Sequence, residues 1–326
     1  MARRKKKMHF SGIGGQAVLE GVMMKNKDDY AVAVRKPDGE IDVDIEVFHP
    51  FLKNSGVRKI PFVRGIFNFI DSLVLGMKSI NHSAKFYEDE EEAKPTGLDK
   101  ALDKISGGKS ESILSAITTL ISLAIAIALF MVLPYFISQK LMTYVRNESL
   151  LAIIEGAVRI VIFLIYVSAI SLMKDVRRLY RYHGAEHKCI NCIERGRTLT
   201  VSNVMHSSRF HKRCGTSFIF IVLLISVVLF FFIRVNNPVE RLLIRLALVP
   251  VIAGISYEII RLAGKYDNIF ISIISAPGLW TQRITTKEPD EEMVEVAIRS
   301  VEAVFDWKQF LIDEFEFSPE DFESED

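Results

Sequence analysis

Four apolar runs, at about 112–137, 150–173, 216–234 and 242–262, constrain this chain more than any other feature. Each approaches the roughly 20 residues that carry a helix across the hydrocarbon core of a bilayer. A buried helix of a water-soluble domain imitates one such run, but hardly four in 326 residues. The pattern predicts a mainly α, integral membrane protein of about four transmembrane helices. The lipid bilayer is its first expected partner.

Charge orients the spans. Between the second and third runs lie Lys174, Arg177, Arg178, Arg181, Lys188, Arg195, Arg197, Arg209, Lys212 and Arg213, whereas the other two connections are short. Basic loops stay in the cytoplasm. Four spans then place both termini there, in agreement with the basic start Arg3-Arg-Lys-Lys-Lys7. No apolar core follows that start, so it reads as a solvated basic end rather than a cleavable signal. The expected location is the cell (plasma) membrane, crossed several times. The three cysteines, Cys189, Cys192 and Cys214, fall in the predicted cytoplasmic part, as free or metal-bound thiols would. A net charge of +1 provides no basic face for nucleic acid.

The flanks divide the rest. Residues 1–60 form a small β-rich cytoplasmic element: Tyr30–Arg35 and Ile41–Phe48 alternate, with Pro37-Asp-Gly39 as the hairpin turn. The glycines of Gly14-Gly-Gln-Ala-Val-Leu-Glu-Gly21 suit bends or close backbone approach, and without a Walker lysine they are no phosphate loop. Residues 61–86 predict an interfacial amphipathic helix. Phe62, Ile66, Phe69, Ile70, Leu73, Met77 and Ile80 share one face, and Arg64, Asn68, Asp71 and Lys78 the other. Residues 87–111 are a polar linker. Residues 112–284 are the four-helix transmembrane domain, with a cytoplasmic His/Cys loop at 174–215. Residues 285–326 predict a cytoplasmic amphipathic helix, striped by Met293, Val296, Ala297, Val301, Val304 and Phe305, and a mobile acidic tail.

The loop carries the candidate chemistry. His183 and His187 stand four apart, so on a helix both imidazoles reach one ion. Glu186 completes H-x-x-E-H, the inverted zincin spacing, in which the glutamate is a general base and therefore the candidate catalytic residue. The expected cofactor is a divalent transition metal such as zinc. Candidate further ligands are His211, Cys214 and the distant acid Glu258. A closed structural site of His183, His187, Cys192 and Cys214 is an alternative. So is a metal-free hydrogen-bonded cluster of the two histidines with Glu186 and Glu194; Gly184 weakens the helix either way. Cys189 and Cys192 form a C-x-x-C without thioredoxin-like surroundings. Glu155, Arg159 and Arg245 are charges within predicted spans, where ion pairing competes with an ion path.

Four segments carry a resemblance: Gly14-Gly-Gln-Ala-Val-Leu-Glu-Gly-Val-Met-Met24, Tyr182-His-Gly-Ala-Glu-His-Lys188, His211-Lys-Arg-Cys-Gly-Thr-Ser-Phe218 and Pro277-Gly-Leu-Trp-Thr-Gln-Arg-Ile-Thr-Thr-Lys-Glu-Pro289. In this order they resemble the YqhQ-like family of bacterial membrane proteins of unknown function. The resemblance implies a multi-span protein and a metal-dependent enzyme, but no substrate. Lys212 stands where that pattern has proline, and Cys189 where it has threonine, which makes Cys189 the poorer ligand. Function is thus expected to be a metal-dependent activity, a hydrolase by motif. The rivals are a membrane scaffold recruiting protein partners through its cytoplasmic elements, and a transporter. The sequence leaves the oligomeric state open.

Overall fold

A computed structural model of the chain describes residues 8–53, 55–87, 110–233, 235, 237–266 and 269–322. The predicted linker falls almost wholly on 88–109, outside the described residues, as does the basic start. The chain divides into two compact units: 1–87 with 167–225 and 248–326, and 88–166 with 226–247.

The first unit is built on an antiparallel sheet in the order β1 (Gly14–Val18), β2 (Gly21–Asn26), β3 (Asp29–Arg35) and β4 (Ile41–Val47). The expected hairpin is β3–β4, turning at Gly39 (φ 92°). The glycine-rich segment before it adds the β1–β2 pair, Gly15 facing Met24 and Gly21 following Val18 through a two-residue turn. Apolar side chains on both faces of β2 and β3 explain the extra strands. Val22, Met24 and Ala33 join the core made with α5 (Lys174–Glu194) and α10 (Glu291–Glu302), while Met23, Tyr30, Val32 and Val34 pack with Leu75. Buried on both sides, Tyr30-Ala-Val-Ala-Val34 has no solvent face to alternate toward.

Leu75 belongs to α1 (Val63–Ala84), which lies where the amphipathic helix was expected. Its inward face is small and polar: Gly65, Asp71, Gly76, Ser79 and Ser83 are buried. Asp71 pairs with Arg58 and accepts from the Phe51 amide at 3.0 Å. The large apolar residues Phe62, Ile70, Leu73, Met77 and Ile80 point outward, each at least 40% exposed. An ordinary surface helix buries its apolar stripe; this one displays it.

Among the described residues three stretches are long and apolar enough to cross a membrane: Leu120–Leu141, Ser149–Ile170 and Val239–Gly264. They comprise α2 (Ser110–Ile127), a π turn and α3 (Leu133–Leu141), then α4 (Glu148–Ile170), then α8 (Pro238–Lys265). The fourth expected run is also an apolar helix, but a shorter one. The run at 216–234 gives α7 (Gly215–Phe231), a helix of 17 residues that ends before the predicted span does.

Short α6 (Val201–Met205) follows α5, α9 (Ile269–Thr285) follows α8, and α11 (Trp307–Phe315) follows α10. Met293, Val296, Ala297 and Val301 are buried as the stripe predicts, and the Asp290 side chain caps α10 by accepting from the Met293 amide at 3.0 Å. The tail departs from expectation. Residues 316–322 continue into a short helical turn in which Phe322 is buried against Trp307 and Phe317. Residues 323–326 lie outside the described ones.

Candidate metal centre

Helix α5 is polar in sequence, yet from Tyr182 to Glu194 every residue except the half-buried His183 is buried. Gly184 has a steric reason: a Cβ there would strike the Lys287 carbonyl oxygen. The backbone of Lys287 closes onto the helix, its amide donating to the Tyr180 carbonyl at 2.9 Å. Further along the helix Lys188 donates to the Met205 and Ser207 carbonyls (2.8 and 3.0 Å), and Asn191 to those of Ser208 and Phe210 (2.7 and 3.0 Å). These bonds fasten the 205–211 loop to α5.

That fastening orients the histidines. His187 Nδ1 lies 2.7 Å from the Arg209 carbonyl, and His183 Nδ1 lies 3.0 Å from the Thr285 carbonyl. A carbonyl only accepts, so both Nδ1 atoms carry the hydrogen and both Nε2 atoms face inward. The rings are 4.4 Å apart, and His183 Nε2 is 3.1 Å from Cys214 Sγ. One ligand atom from each of His183, His187 and Cys214 lies within 4.8 Å of the others.

Cys214 precedes α7, and its sulfur receives the Thr216 amide at 3.4 Å with the Thr216 hydroxyl at 3.1 Å. Burial would raise the Cys214 thiol, but His183 and His187 beside it hold it well below its ordinary value. Burial would lower His183, yet the neighbouring sulfur, followed by Glu186, lifts it to about 9.

Glu186 joins the same group, with Oε2 3.5 Å from His187 Nε2 and 3.9 Å from His183 Nε2. Strand β1 closes over it at Gly15, where a Cβ would come within 2.7 Å of Glu186 Cγ. His183, Glu186, His187 and Cys214 line a cavity of about 640 Å³ that also reaches Lys25 and Tyr257.

The other sequence candidates sit elsewhere. His211 is the near neighbour, its ring 5.5 Å from that of His187, but its Nε2 faces the buried Glu194 carboxylate at 3.7 Å. Burial pushes His211 down. Burial would raise Glu194, but His211 and Arg213 bring it to about 2. Glu258 is held by both arms of Arg64 at 2.6 Å and stands outside the His–Cys group. Cys189 and Cys192 are core residues: burial pushes the Cys189 thiol up, and Cys192 donates to the Thr198 carbonyl at 3.3 Å. Sequence reasoning missed the carbonyls of Arg209 and Thr285, because any residue type supplies a carbonyl. It also missed Thr216 and the contact between Gly15 and Glu186.

A family model described as a protein of unknown function, DUF1385, matches residues 60–307. The uncharacterized protein YqhQ of Bacillus subtilis (strain 168) is 36% identical over 295 residues, which cover 88% of this chain and 90% of that protein. No solved structure matches.

Proposed function

Because this chain belongs to the DUF1385 family, whose function is unknown, we propose a reading drawn from its site: a membrane protein whose His183, His187 and Cys214 bind a divalent transition metal, zinc by preference, for a hydrolytic reaction. One observation carries it. Two imidazoles, each fixed through Nδ1 to a backbone carbonyl, present Nε2 to the same space as the Cys214 sulfur, whose thiol they hold well below its ordinary value. Outer-shell bonds of this kind orient the ligands of protein metal sites, and the nitrogen–sulfur donor set suits zinc.

A zinc ion held by these three side chains would keep a position free, as catalytic rather than closed structural sites do, and would supply Lewis acidity there. Glu186, buried beside both Nε2 atoms, would serve as general base. His211 and Glu194 support the floor behind His187, and Glu258 serves α1 through Arg64. The three apolar stretches and the outward stripe of α1 support the bilayer as the surrounding medium. The cations of 174–213 support a cytoplasmic face for the site.

The test is hydrolysis of an ester, amide and phosphoester panel by the purified, zinc-loaded protein beside Glu186→Gln. The expected result is a loss of about 10²–10⁴-fold with zinc content unchanged. Equal turnover in both proteins would remove Glu186 from the chemistry.

A further inference from the structure

Strand β1 forms one edge of the sheet and closes over Glu186 at Gly15. The Arg35 amide donates to the Glu20 carbonyl at 2.9 Å. Along an antiparallel strand successive residues turn their hydrogen-bonding groups to alternate sides. Val22, Met24 and Asn26 therefore bond toward β3, and Gly21, Met23 and Lys25 toward β1, where their partners are Val18, Gln16 and Gly14. Gly15 and Ala17 are left aiming their N–H and C=O groups away from the sheet.

The two ends of this outer edge differ. At the hairpin end the Leu19 amide donates to the Ser83 hydroxyl of α1 at 3.2 Å. At the other end Gly14 and Gly15 are exposed and line the same cavity of about 640 Å³ as His183, Glu186, His187 and Cys214. That cavity meets both faces of the sheet, Met23 and Leu75 on one and Glu186 on the other, so it reaches around the edge. There is room beside the strand, because a Cβ added at Gly14 would meet nothing within 4 Å.

Sheet edges are commonly guarded against pairing by charges or proline. The far edge has such a guard, since β4 carries Asp42, Asp44 and Glu46. Strand β1, Gly14-Gly-Gln-Ala-Val18, carries neither charge nor proline. An unguarded edge pairs with another extended backbone, and this one opens into a cavity that admits a single strand rather than a second folded sheet. We propose that the substrate is an extended polypeptide segment that pairs with the outer edge of β1 through Gly15 and Ala17, which brings one of its amide bonds to Glu186. Cleavage adds the oxygen of water to the amide carbonyl and breaks the C–N bond. The proton that Glu186 takes from the water passes to the departing nitrogen. The assignment deepens the hydrolytic reading and rests on it for cleavage, whereas pairing with β1 needs no metal.

The experiment is binding of a capped, fluorescent octapeptide of alternating valine and serine to the detergent-purified full chain, with zinc content measured on the same samples. Two further peptides carry N-methyl groups on every valine or on every serine amide, which blocks one edge of the strand and keeps its side chains. One methylated form is expected to bind as the parent peptide does, and the other at least tenfold more weakly. Ala17→Pro deletes an outward N–H and none of the β1–β2 bonds. It is expected to weaken the parent peptide at least tenfold at unchanged zinc content, and the methylated pair covers the case of a misfolded variant. No binding of the parent peptide, equal binding of all three, or a dimer of the chain that Ala17→Pro dissociates in place of peptide binding would overturn the proposal. One-edged peptide binding by a protein that takes up no zinc would support the pairing and contradict the metal reading alone.

Discussion

Helix α5 and the stretch Leu120–Leu141 reverse the usual relation between sequence polarity and burial. Helix α5 carries Lys174, Asp175, Arg177, Arg178, Arg181, Glu186, Lys188 and Glu194, yet its second half is almost wholly enclosed. Leu120–Leu141 has no charge before Lys140, yet only 6% of its most apolar window is buried inside the protein. Most buried polar side chains of α5 have fixed partners, as Lys188 has in three oxygens and His187 in the Arg209 carbonyl. Burial is tolerated where hydrogen bonds replace water. Apolar surface without protein cover needs another apolar medium, which in the proposed membrane reading is a bilayer. The difference separates a region specified by partners from one specified by solvent.

The largest effects come from substitutions that remove packing from only one side of that comparison. Ile193→Ala, in the enclosed core, is expected to cost about 2–5 kcal/mol, whereas Leu123→Ala, 56% exposed, should cost well under half as much. Thermal unfolding in detergent checks the pair; equal losses would mean that Leu120–Leu141 is covered by protein after all.

Leu129→Lys, near the middle of that stretch, sharpens the comparison from the lipid side. A lysine at the centre of a span costs about 3 kcal/mol in insertion, so a membrane-insertion assay should show a sharp drop in the integrated fraction. Unchanged integration would remove this stretch from the bilayer.

A smaller effect concerns pH. His183 is raised to about 9 in the metal-free protein, so below that pH its Nε2 holds a proton that a metal must displace, while the two histidines hold the Cys214 thiol well below its ordinary value. Zinc affinity should therefore weaken by about tenfold per unit as pH falls below 9 and level off above it. Chelator competition across that range measures the slope, and a flat profile would show that His183 is not displaced.

The site was legible in the sequence wherever a side chain declares its chemistry. H-x-x-E-H placed His183, Glu186 and His187 on one helix face, and Cys214 stood among the candidate further ligands with His211 and Glu258. What could not be read was supplied by backbone. The carbonyls of Arg209 and Thr285 come from segments folded against α5, and Gly184 and Gly15 mark close approaches whose partners, Lys287 and Glu186, lie far away in sequence. Glu258 shows the complementary failure: the order of residues suited a third ligand, but Arg64 stands closer and claims it. In the fold, apolar length revealed the long apolar helices, and the run at 216–234 gave a shorter one, because α7 ends at Phe231 although hydrophobicity continues to Ile233. The outward stripe of α1 was visible as a periodicity, but its inward packing through Gly65, Gly76 and Ser79 was not. Small residues carry no hydrophobic signal.

The central claim is that His183, His187 and Cys214 form a metal site. Elemental analysis of the purified full chain, beside His183→Ala/His187→Ala, tests it most directly. About one zinc, iron or manganese ion per chain is predicted in the parent and close to none in a variant that keeps its elution profile and melting behaviour. No metal in the parent after reconstitution with each ion, or the same content in both proteins, would contradict the account and leave the histidines as hydrogen-bonded residues of a polar core.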